Sequence, residues 1–409
     1  VESIAADQAR FLAQAAQGLA GPIAGASPGA VQRMGQESRR GLLHQMLRHL
    51  GAVQLDTISV LARSHELVAY ARFGAIGREA IEDSYWRRNG SFEYWSHAAC
   101  ILPIESWPLF SFRRRHYERR GIRWHNVTHS AVQPVLDRLA DGPLSTSDIG
   151  GAKKGGEWWD WSESKIAIEW LLDIGTVVVA RREGWRRVYD LAERCVPAEL
   201  LSIDLSDEEC VVALIADAAR TLGVGTAGDI ADVHRVKQAD VRRHASDAGL
   251  VPVTVEGWSS PAYAATSALD SLQLVSRRVS RTTMLSPFDS LVWHRPRAER
   301  IFGMAHRLEA YTPSHRRVHG YFAMPVLHQG HLVGRVDPKR EGTTLVAKRI
   351  TFEDSQIGRN GQVKAAAVAG TAKALHEAAL WVASEDIRVD EVVPASSASA
   401  VRQAVASGG

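Results

Sequence analysis

The residues best suited to chemistry lie in a stretch that otherwise reads as buried, "GAVQLDTISVLARSHEL", beginning at Gly51. On extended backbone alternate side chains share a face. Val53, Leu55 and Thr57 therefore point one way, and Gln54 and Asp56 the other. An amide and a carboxylate on one side of a strand serve as a turn cap, a buried polar pair or a reaction centre, and spacing alone leaves the three open. A second set is cationic. Arginine clusters in "SFRRRHYERRGIR" (Ser111–Arg123), "ARREGWRR" (Ala180–Arg187), "SRRVSR" (Ser276–Arg281) and "SHRRVH" (Ser314–His319). Guanidinium groups grip phosphate with two hydrogen bonds and stack on flat rings. Separate basic clusters on a chain of net charge +3 fit a local nucleic-acid footprint or a solvated surface.

Other patterns do not carry chemistry. Gly223–Gly228 matches the dinucleotide fingerprint but follows a helix where the physics needs a strand; Gly223 reads as a helix end and Thr226 as the next cap. Gly25–Gly29 matches a nucleophile elbow without a leading strand, and Ser162–Lys165 matches SxxK without its partner motifs. The histidine pairs His125/His129 and His315/His319 have no adjacent acid or thiol to complete a zinc site, so no metal and no cofactor are expected. The aromatic run Glu157–Trp161 is read as core.

The elements that must position these groups follow from periodicity. Glu2–Ala20 reads as a helix, and Ser38–Gly51 as another, with Leu42, Leu43, Met46, Leu47 and Leu50 on one face and a glycine at its end. From Ser130 the pattern is helix, a short capped helix at Ser145–Asp148, a helix over Asp160–Gly175 capped by Asp160, then two β-rich runs in Thr176–Leu191 around a basic tip. That order is a winged helix, whose third helix and wing contact DNA by analogy with helix-turn-helix docking. Ser206–Gly257 repeats it. After Arg277 the texture turns to β-formers and turn pairs, which predicts an antiparallel sheet or small barrel, followed by a long Ala-rich helix. The Ser/Ala-rich end reads as a disordered tail. At 409 residues and 45% hydrophobic content the chain can build several cores. Three scattered cysteines imply no disulfide framework and suit a reducing cytoplasm. No apolar run reaches membrane-spanning length.

Four spaced segments, Val53–Gly74, Phe92–Pro103, Trp158–Pro197 and Glu309–Leu327, resemble the bacterial winged-helix DNA glycosylases of the AlkZ/AlkX (YcaQ-like) type over nearly the whole chain. The resemblance implies an α+β fold: tandem winged-helix domains around a C-terminal β-barrel, C-shaped with a central DNA cleft. It divides the chain into a domain over 1–129 carrying the Gln-x-Asp motif, winged helices over 130–204 and 205–275, a barrel with its helix over 276–390, and the tail 391–409. The family motif is Gln-aliphatic-Gln in the AlkZ branch and Gln-aliphatic-Asp in the AlkX branch. Gln54-Leu55-Asp56 matches the second, which unhooks interstrand crosslinks and removes N7-alkylated purines. Asp56 and Gln54 are then the catalytic pair. His315, Arg316 and Arg317 are expected near the lesion, Arg181, Arg182, Arg186 and Arg187 on a DNA-contacting wing, and His97 beside the reaction centre. No lysine precedes Lys153, so a Schiff-base lyase is not expected. The implied protein is a monomer acting on duplex DNA at the bacterial nucleoid. The alternative is a non-catalytic winged-helix regulator.

Overall fold

The computed structural model describes residues 2–21, 23, 26–86, 90–121, 127, 129–150, 161–270, 272 and 281–408. Asp160, the Glu157–Asp160 aromatic segment, His125 and most of the Ser276–Arg281 cluster fall outside the described residues. The fold is mixed α+β and divides into two compact units: Val1–Ile81 with Ile215–Gly409, and Glu82–Leu214.

In the first unit the helix Gln36–Leu50 buries Leu42, Leu43, Met46, Leu47 and Leu50 and ends at Gly51, whose φ is 70°. A side chain there would meet the Asp217 carboxylate at 2.6 Å, so glycine serves both the backbone and the close approach. The helix Ser64–Phe73 is buried at every position. Its Arg72 forms a fully buried ion pair with Asp289 and donates to the carbonyls of Gln17 and Val68 at 3.0 and 3.2 Å. Three distant segments are thereby tied into one core. Only Ala6–Ala15 of the expected first helix is helical. Glu2–Ile4 is instead a strand lying parallel to Leu250–Val255.

The C-terminal sheet differs from the expected barrel. Strands Thr282–Met284, Met324–His328, His331–Glu341 and Thr344–Phe352 pair antiparallel in sequence order. Asp386–Val393 then joins parallel to Thr344–Phe352. A parallel return needs a crossover, supplied by the helix Ala365–Trp381, which packs on the sheet. The last strand adds to the outer edge, and among the described residues the five-stranded sheet stays open. The expected disordered tail is also corrected. Strand Asp386–Val393 leads into the helix Ala398–Ala406, which buries Val401 and Val405, and Arg402 donates to the Val389 and Asp390 carbonyls at 3.1 and 2.9 Å.

In the second unit, helix His129–Ala140, strand Leu144–Ser145, helix Thr146–Ile149 and helix Glu163–Asp173 precede the hairpin Val177–Glu183/Arg186–Leu191. The cap of the third helix is Ser162, which accepts from the Lys165 N–H at 3.2 Å. Leu144–Ser145 pairs with Arg186–Leu191. Val177, Val179 and Tyr189 close the core over Ile168 and Leu171. The same order of elements recurs along 207–265, where strand Val224–Thr226 pairs with Ala262–Ala265, and along 36–103. Among the described residues no helix is long and apolar enough to cross a membrane.

Candidate active site

Val53–Gln54 is a two-residue strand directly after the Gly51 helix end. Burial alternates as extended backbone requires: Val53 and Leu55 are buried, Gln54 and Asp56 half-buried, while Thr57 turns out to solvent. Beyond that point the chain is pinned rather than paired. Asp56 Oδ1 accepts the Ile58 N–H at 2.8 Å, an Asx turn. The Ser64 hydroxyl donates to the Gln54 carbonyl at 2.6 Å. Arg63 Nη1 donates to the Thr57 carbonyl at 3.2 Å, and Arg78 to that of Leu61. Glu66 closes the following helix end by accepting the Arg63 N–H at 2.7 Å.

The turn-cap role of Asp56 thus occupies one carboxylate oxygen. Burial pushes the Asp56 carboxyl above the usual range, opposed only in part by the N–H groups of Ile58 and Thr57. Among the described residues no lysine or arginine forms an ion pair with it. A half-buried carboxylate on a fixed turn, without an ion-paired lysine or arginine among the described residues, keeps its charge unmatched by them.

The cationic candidates separate into two kinds. His315 and Arg316 are exposed on the turn Ser314–Arg316. Arg317 folds back, donating to the Thr312 carbonyl at 2.8 Å and lying 5.0 Å from the Tyr321 ring centre. The loop is stapled by Glu309, whose carboxylate accepts the N–H groups of Val318, His319 and Gly320 at 3.0, 2.7 and 3.1 Å. Tyr311 and Val318, 83% and 62% exposed, flank the basic tip. On the hairpin of the second unit, Arg181 and Arg186 are exposed. Arg182 and Arg187 are half-buried and engaged by acids. Arg182 gives Nε and Nη2 to the two Glu93 oxygens at 2.6 and 2.7 Å, and Arg187 lies 3.3 Å from both Glu93 and Glu169. The charge of these two is matched by acids inside the protein. His97 sits at the turn of the Ser91–Trp95/Ala99–Pro103 hairpin, its Nδ1 3.8 Å from the Cys100 sulfur. Glu93 and Glu309, which hold the two basic loops, carry no signal in the sequence beyond their place in the matched segments.

Comparison with known proteins decides the family. A family model described as DNA glycosylase AlkZ-like matches residues 47–381. The chain belongs to the AlkZ-like DNA glycosylase family. It is accordingly a DNA glycosylase, a DNA-repair enzyme, and its substrate is DNA. The match spans the Gln54–Asp56 turn and both basic loops. The solved structure of Streptomyces sahachiroi DNA glycosylase AlkZ is similar in fold, with a TM-score of 0.61 at 15% identity, over 95% of this chain and 100% of that one.

Proposed function

We propose that this glycosylase hydrolyses the N-glycosidic bond of N7-alkylated purines in duplex DNA, including purines joined in nitrogen-mustard interstrand crosslinks, and leaves an abasic site. Alkylation at N7 makes the base cationic and a good leaving group, so little acid catalysis is needed. The bond breaks towards an oxocarbenium-like sugar, as in glycoside hydrolysis. Asp56 supplies the opposing anion and takes a proton from the attacking water, and Gln54 orients that water. The observation that carries this reading is the Asp56 carboxylate itself, fixed by Ile58 and uncompensated by a described cation. Gln54-Leu55-Asp56 matches the AlkX form of the motif.

The repeated helix, strand, helix, helix, hairpin order supports tandem winged helices that read the duplex largely through phosphates. A crosslinked base is tied to the opposite strand, so turning it out of the duplex would drag that strand along; an open DNA cleft suits such a lesion. The stapled loop with His315 and Arg316, flanked by exposed Tyr311 and Val318, suits a groove beside the lesion, where apolar side chains wedge between base steps.

The test uses duplexes carrying N7-methylguanine or a defined nitrogen-mustard crosslink, followed by alkaline cleavage at abasic sites. Release of both lesions with no adduct trapped by borohydride is expected. Absence of strand scission on N7-methylguanine overturns the substrate assignment, and a trapped adduct overturns the hydrolytic mechanism.

A further inference from the structure

The hairpin Val177–Glu183/Arg186–Leu191 carries four arginines whose side chains have opposite fates. Arg182 and Arg187 are direct cross-strand partners, as are Glu183 and Arg186. Opposed residues share a face, so Arg182 and Arg187 turn together to the side on which Glu93 lies. Glu93 is 3% exposed. Besides the two arginines its carboxylate accepts from Trp86 Nε1 at 3.1 Å. Arg182 extends this set of interactions to the hairpin tip: its Nη1 donates to the Trp185 carbonyl at 2.8 Å, and its guanidinium lies 4.1 Å from the Trp185 ring centre. The outward arginines have weaker ties. Arg181 pairs with Glu183 at 2.8 Å with both side chains about half exposed, and Arg186 donates to the Ser147 hydroxyl at 3.1 Å. Exposed pairs of this kind contribute little and exchange readily.

We propose that Glu93 is a positioning residue for DNA: by holding Arg182 and Arg187 inward it fixes the hairpin tip, so that Arg181 and Arg186 alone reach phosphates. The inference rests on reading this hairpin as a DNA-binding element. Two guanidinium hydrogen bonds from Arg182, an ion pair with Arg187 at 3.3 Å and an indole N–H converge on one buried carboxylate, and such a joint orders a two-stranded ribbon that is otherwise marginal. An ordered tip presents its outer pair with little entropy left to lose on binding.

The measurements are duplex binding by the full-length protein across a salt series and steady-state excision of N7-methylguanine. Arg181→Gln with Arg186→Gln is expected to reduce the salt slope by about two units. An unchanged slope ends the DNA-binding reading of the hairpin, separately from the role of Glu93. Glu93→Gln is expected to raise KM roughly tenfold with kcat at saturation kept, the mark of weakened binding, and Glu93→Asp to recover part of it. If the outer pair matters but Glu93→Gln leaves KM unchanged, or tightens binding and steepens the salt dependence, positioning is wrong and Glu93 merely masks charge. Should Glu93→Gln fail to fold, the apolar replacement Glu93→Met, Arg182→Met, Arg187→Leu decides. It is expected to retain the wild-type salt slope, and a decrease of about two units would show that the inner arginines are the ones that bind phosphate.

Discussion

Asp56 and Glu93 are both carboxylates on or just past short strands, yet their surroundings are opposite. Glu93 is buried and surrounded by donors: two guanidinium groups and an indole N–H. Asp56 is half-buried, holds a backbone N–H, and has no arginine or lysine ion pair among the described residues. The first charge is spent inside the protein, on holding a hairpin. The second is fixed in place by a backbone N–H, and in the proposed reaction it meets the cation that arrives with the substrate. Local compensation, rather than residue type, separates a structural acid from a reactive one.

Substitution breaks the comparison most directly. Asp56→Asn keeps shape and removes charge, so excision of N7-methylguanine should fall by about a hundredfold to a thousandfold, the cost of removing one electrostatic stabiliser, while the urea midpoint holds. A parallel failure of folding would place Asp56 in the same class as Glu93. Glu93→Ala should instead act first on the fold. Removing one partner of a buried ion pair costs about 3–5 kcal/mol, read as a lower urea midpoint; here Arg182 loses its acid partner while Arg187 keeps Glu169.

Acidity sharpens the difference. In the proposed reaction Asp56 acts as the anion, and burial raises its pKa. Single-turnover excision should therefore decline as pH falls through a value above the ordinary carboxylate range. The acid limb should vanish in Asp56→Asn, leaving a low, flat profile. A wild-type limb at the ordinary aspartate position would mean that the carboxylate is solvated in the working enzyme. On the stapled loop, His315→Ala and Arg316→Gln should each alter duplex binding modestly. If the Arg316 guanidinium neutralises one phosphate, its removal should lower the salt slope by about one unit, and an unaltered slope would remove that residue from the interface.

Much of this is legible in the sequence alone. Val53 and Leu55 turn inward while Gln54 and Asp56 lie half-exposed, as period two dictates; Gly51 ends its helix, and Thr226 caps the helix Ala227–His234, accepting from the Asp229 N–H at 3.2 Å. Nonlocal pairing is not legible. Glu2–Ile4 reads as helix in isolation and becomes a strand because Val253–Val255, some 250 residues away, supplies its partner. The tail looks like low-complexity polar sequence, yet Val401 and Val405, four apart on one helical face, bury it. The sorting of the wing arginines is hidden for a sharper reason. Strict alternation from Val177 and Val179 puts Arg181 on the core face and Arg182 outside. A register shift between Val179 and Arg181 reverses this, since one extra residue in a strand flips every later side chain. Adjacent arginines look the same in a sequence, and only the bulge decides which one meets Glu93.

The smallest expected effect tests the outer side of that hairpin. Glu183 holds Arg181 at 2.8 Å with both side chains about half exposed, and if Arg181 meets DNA it competes with phosphate for that guanidinium. Such a pair is worth roughly 0.2–1 kcal/mol, and Glu183 also repels the DNA backbone. Glu183→Gln should therefore tighten duplex binding about twofold to fivefold at low salt. The gain should fade as salt rises, because exposed charges are screened over about 8–10 Å at physiological ionic strength. The same substitution should leave the urea midpoint in place, because Glu183 takes no part in the inner joint at Glu93. Equal affinity of the two proteins across the whole salt series would mean that Arg181 does not face the backbone, and the outer pair would reduce to Arg186 alone.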